Sequence, residues 1–146
     1  PAGTNAIGKL AANSGVDIGD VDVTSTAAAT SGGATPGKLV SAASTNATSV
    51  KASAGQVFSL CAFNTNASAR YLKLYNKASA PTVGTDTPVQ VFTIPGATTG
   101  AGLVVPIPVC GMAFSTGIAF ATTTGAADSD TGAVAASEII ISYSYK

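Results

Sequence analysis

Large apolar residues are sparse before Leu39 and frequent after it, and from there they fall into short runs with the period of a pleated strand. The clearest is RYLKLYNK at 70–77, where Leu72 and Leu74 point one way and Tyr71, Lys73 and Tyr75 the other. The same reading predicts strands at 38–43, 48–52, 55–64, 88–94, 102–109, 116–123 and 137–146. Pro95-Gly96, Cys110-Gly111 and Thr124-Gly125 punctuate them as turns. Pro106 and Pro108 cannot donate to a ladder, so the sixth strand is predicted at an edge or with a bulge. In Ala80-Pro81-Thr82-Val83-Gly84 the proline fixes φ and the glycine admits a positive φ, which predicts a tight loop after the 70–77 strand. Eight short strands and no helical period predict an all-β, eight-stranded, jelly-roll-like β-sandwich. An immunoglobulin-like sandwich is the alternative, although Trp is absent.

Residues 1–36 follow another pattern. Gly3, Gly8, Gly15 and Gly19 recur, and 26–36 is a low-complexity tract of Thr, Ala, Ser and Gly closed by Pro36. Between them Val16, Ile18, Val21 and Val23 alternate with a one-residue slip at Gly19, the mark of a bulged strand. With so few large side chains this stretch cannot form a core. The expectation is an extended N-terminal arm at 1–36 that lies on a partner, and a sandwich domain at 37–146.

Composition narrows the functions. Ala, Gly, Ser and Thr make up 78 of the 146 residues, and 10% are charged, against about 25% in an average soluble domain. Seven basic and seven acidic residues cancel, which offers little attraction to a phosphate backbone, so no nucleic-acid partner is predicted. A surface this poor in charge is easily desolvated and suits a molecule that lives inside an assembly. No run of about 18 apolar residues is present, so no membrane span is predicted, and no signal peptide is visible.

Histidine is absent, which excludes a Ser-His-Asp triad and zinc sites that need imidazole. Asp128-Ser129-Asp130-Thr131-Gly132 resembles the opening of a calcium loop but lacks its closing Glu, and is read as a polar turn. Asp17, Asp20 and Asp22 alternate as a solvent face does. Glu138 and Asp86 are the remaining carboxylates, and nothing in the spacing pairs them for glycoside hydrolysis. No catalytic residue, cofactor or metal is predicted. Cys61 and Cys110 lie in apolar patterns and are expected as two buried thiols. Tyr71, Lys73 and Tyr75 would place aromatics and a cation on one face, either to stack sugars or bases or to pack on a neighbouring subunit.

The segment RYLKLYNKASAPTVGTDTP at 70–88 resembles one that recurs in small structural proteins of tailed bacteriophages. GIAFATT at 117–123, ADSD at 127–130 and IIISYSYK at 139–146 are similar to the same group. The resemblance covers about 55–146. It implies a virion component, a capsid decoration or cement protein with a jelly-roll fold, often trimeric. The expected partners are the major capsid protein and further copies of the chain. The expected place is the capsid exterior, after assembly in the bacterial cytoplasm. Partner contacts are expected at Val16, Ile18, Val21 and Val23 of the arm and at Tyr71, Lys73 and Tyr75. The alternatives are a tail or neck component, and a carbohydrate-binding module of a host-recognition fibre.

Overall fold

A computed structural model describes residues 33–99 and 102–146. The arm residues Val16, Ile18, Val21 and Val23 lie outside the described residues.

Among the described residues nine antiparallel strands form two sheets. They are β1 (Thr35–Val40), β2 (Thr48–Lys51), β3 (Gly55–Asn64), β4 (Arg70–Asn76), β5 (Gln90–Ile94), β6 (Gly102–Val104), β7 (Met112–Phe114), β8 (Ile118–Thr123) and β9 (Ile139–Tyr145). Sheet A runs β1-β9-β3-β6, with β7 also paired to β3, and sheet B runs β2-β8-β4-β5. A β-sandwich is the result, as the strand pattern predicts. Among the described residues no helix is long and apolar enough to cross a membrane.

The inner faces carry the alternating residues that the sequence pattern singles out. Leu60, Ile139 and Ile141 of sheet A meet Leu72, Leu74 and Phe120 of sheet B, all buried. Each such side chain contributes roughly 1.5–3 kcal/mol on leaving water. Tyr143 closes the layer edge-on to Phe120, with ring centroids 5.5 Å apart.

Three differences from the expected strands have local causes. β1 opens at Thr35, before the expected boundary at Gly37, and ends at Val40. It ends there because the Ser41 hydroxyl takes over from the ladder, accepting from Glu138 N (3.0 Å) and Ile139 N (2.9 Å) and donating to Ala135 O (2.7 Å). The strand expected at 102–109 stops at Val104, short of Pro106 and Pro108, which lack the N–H that a ladder requires. The chain pairs with β3 again at β7, a three-residue strand on the same edge that lies beyond the expected 102–109.

One end of the sandwich is closed by polar groups. Arg70 Nη2 meets Glu138 Oε1 at 2.6 Å, which ties the start of β4 to the start of β9 across the two sheets. The other carboxylate oxygen of Glu138 accepts from Ala135 N.

Candidate functional site

The outward side of β4 carries the residues that the sequence analysis offered to a partner. Tyr71 pairs across the ladders with Thr123 of β8 and Thr93 of β5, and is half-buried. Lys73 and Tyr75 are not on offer: both are buried, at 0% and 1% exposure. The expected amphipathic outer face is therefore corrected. It is covered from within the chain, by the loops 41–47, 77–89 and 124–138 that leave the ends of sheet B.

Small residues make that roof possible. Ala119 and Ala121 of β8 flank Tyr75 with almost no side-chain height, and Ala47 and Val83 of two loops close over them. The 41–47 loop is pinned by Asn46, whose amide nitrogen donates to Ala42 O, Ser44 O and Thr122 Oγ1. In the β4–β5 loop the Asp86 carboxylate accepts from Thr82 N at 2.6 Å and pairs with Lys77. The Lys77 hydrogen bond, helped by the Thr82 amide, holds the Asp86 carboxyl below its ordinary value. Gly84 sits at φ 86° where this loop meets Ser129 and Thr131 of the next, the positive φ that the sequence predicts.

Lys73 explains the acidic turn. Its ammonium donates to Ala127 O (2.6 Å), Asp130 O (3.0 Å) and Asp128 O (3.4 Å). The Asp130 carboxylate shapes the same loop by accepting from Gly125 N and Gly132 N, each at 3.0 Å. Carbonyl oxygens converge here as they do around a hard cation, and a lysine from the sheet below fills the centre. The turn is polar, as read from sequence, and its centre is taken. Among the described residues no three His, Cys, Asp or Glu side chains come together to hold a metal ion.

Tyr75 ends beneath this roof with its hydroxyl buried and without a hydrogen-bond partner among the described residues. Burial, then the nearby Asp128 and Asp86 carboxylates, raise its phenol above the ordinary value.

Sheet A is different. Its outward side carries exposed residues that sequence reasoning missed. Val40 and Phe63 are 47% and 46% exposed, Val104 is 80% exposed, and Val109, in the β6–β7 loop, is fully exposed. Cys61 and Cys110 are free and exposed, which corrects the expectation of buried thiols. Cys110 lies in the turn before β7, and for Cys61 the reason is in β3. In β3 the bulge between Val57 and Ser59 resets the alternation, so Leu60 and Ala62 turn inward and Cys61 and Phe63 outward. A run with apolar residues at both parities looks double-buried, and nothing in it marks which parity faces water.

Compared with protein-family models, curated proteins and solved structures, the chain matches none.

Proposed function

We propose that the chain is a non-enzymatic structural protein of a tailed-phage virion, a decoration or cement protein on the capsid exterior. In this reading it binds the major capsid protein and assembles as a homotrimer. The finer reading of the fold is a jelly roll, and the observation that carries both is the nesting of the ladders. With β6 and β7 counted as one interrupted strand, β1 pairs β9, β2 pairs β8, β3 pairs β6 and β7, and β4 pairs β5. That is one long hairpin rolled over so that successive pairs alternate between sheets, an architecture shared by viral capsid and lectin domains.

Composition supports assembly over catalysis. The chain has no histidine, its Glu138 is tied to Arg70, its Asp86 to Lys77, and its Asp130 to two backbone amides. A sugar-binding face on β4 loses its support, because Tyr75 lies under the loops.

Gold-labelled antibody on purified particles tests the reading, with mass spectrometry of the same fraction. Label at repeated positions over the head is expected. Label on the tail or neck moves the chain to the second reading, and absence from particles overturns both.

A further inference from the structure

The two edges of sheet A carry prolines that the edges of sheet B do not. Among the described residues nothing pairs with the outer side of β1 at one edge or of β6 at the other. An edge strand offers unpaired N–H and C=O groups to any extended chain that meets it. Those groups belong to every second residue, because successive residues of an antiparallel strand turn their backbone groups alternately toward the partner and away from it.

The hydrogen bonds fix which residues face out. In register with the β1–β9 ladder, Ser41 N donates to Ile139 O at 2.8 Å. Positions 35, 37, 39 and 41 therefore face β9, and Pro36, Lys38 and Val40 turn their backbone groups to the open side. In register with the β3–β6 ladder, Val105 N donates to Leu60 O at 3.0 Å, so Leu103 and Val105 face β3 and Val104 faces out. The alternation runs on past β6: Leu103, Val105 and Ile107 pack on the core, whereas Val104, Pro106 and Pro108 are exposed. The N–H that Pro36, Pro106 and Pro108 lack is thus the one that a strand added outside the sheet would need. From 105 to 108 no N–H is left on the open side. On β1 the outward position after Pro36 carries the exposed ammonium side chain of Lys38. Among the described residues these three are the exposed prolines: Pro81 and Pro88 are buried and Pro95 is half-buried. β2 and β5, the edge strands of sheet B, contain none.

We propose that Pro36 with Lys38, and Pro106 with Pro108, close the two edges of sheet A to strand addition by another chain. Sheet A is the sheet in which an open edge would be most costly. Its outward side carries exposed Val40, Phe63 and Val104, so a chain paired to either edge would extend an apolar face together with a ladder, the combination that drives sheets to stack without limit. This closure is independent of the virion reading. Whatever sheet A packs against, it meets through side chains and not by fusing backbones.

The test restores the missing donors in the full chain. Pro106→Thr with Pro108→Thr returns two N–H groups to an exposed segment, and Pro36→Thr with Lys38→Thr opens β1 in a second variant. Threonine suits an extended backbone and brings no large apolar group. Sedimentation velocity under reducing conditions compares each variant with the native chain at tens of micromolar. Amide exchange by NMR follows the restored N–H groups at 36, 106 and 108, and far-UV circular dichroism checks folding. We expect both variants to keep the native spectrum and to form species heavier than the native one. In those species the restored amides should exchange at least about tenfold more slowly than in dilute solution. Variants that keep the native mass, with exchange at those amides independent of concentration, overturn the proposal. Association that leaves the same amides unprotected overturns it as well, since the contact then runs through side chains. A variant that fails to fold assigns its prolines to shaping the chain and overturns the closure at that edge.

Discussion

At the scale of single residues, Lys73 and its loop form the most demanding contact. An ammonium with 0% exposure survives burial only because three carbonyl oxygens surround it. Lys73→Met keeps the length of the side chain and removes the charge, leaving those carbonyls facing a methyl group. The expected loss is about 2–4 kcal/mol in urea unfolding, with faster amide exchange confined to 124–132. Asp86 gives a pH signature. Its folded pKa lies below the ordinary 3.8, so its contribution is complete above that value and drains away as pH falls through the lowered one. The native chain should therefore lose stability more steeply than Asp86→Asn below about pH 4, and the two thermal midpoints, followed from pH 6 to 2, should converge. An unchanged gap over that range would remove the role assigned to the Lys77 pair. The alternation that sets Lys73 and Tyr75 on one side of β4 was legible in the sequence. Their burial was not, because it is decided by loops as distant in sequence as the 127–130 turn, 54 to 57 residues from Lys73, and periodicity carries no information about loops.

At the scale of elements, the long alternating runs were legible, the four- and five-residue β2 and β5 were placed as well, and only the three-residue strands were cut short or missed. β3, β4 and β9 stand where the pattern puts them, since seven to ten residues give enough repeats to fix a period. β7 spans three residues, Met112–Phe114, too few for any period, and was missed. β8 was found, but its composition also serves the roof: Ala119 and Ala121 are the low points over which the loops close. The entry to β8 depends on Gly117, where an added Cβ would stand 2.7 Å from Ala78 Cα and from Lys77 O, both backbone atoms. Gly117→Ala must push two segments apart or shift β8 in its register with β2 and β4. We expect a loss of about 2 kcal/mol or more by denaturant titration, well above the effect of an alanine placed on an open loop. An alanine variant as stable as the native chain would mean that this crossing relaxes freely.

At the scale of the whole molecule, sequence reasoning reached the all-β class and the sandwich. The division between arm and domain was drawn slightly late, since β1 already includes Thr35 and Pro36. The arm proposal then takes a sharper form. Removing residues 1–32 should leave a folded chain with an unchanged far-UV spectrum and, in the proposed function, weaker binding to capsids. Removing residues 1–40 also deletes β1, which strips the cover from one side of β9, and should unfold the chain or cost it several kcal/mol. If the shorter deletion unfolds it as well, the arm belongs to the core. The nested ladders carry one more consequence, for the order of events during synthesis. Thr35 pairs with Tyr145, and β9 lies in the middle of sheet A between β1 and β3. A ribosome adds about 5–20 residues per second, and throughout that time β1 is out with nothing to pair with. Folding therefore waits for residues 139–145 to clear the exit tunnel, and high contact order makes it slow thereafter. A chain interrupted before residue 139 cannot assemble the centre of sheet A, so unfinished products stay unfolded and are left to proteolysis.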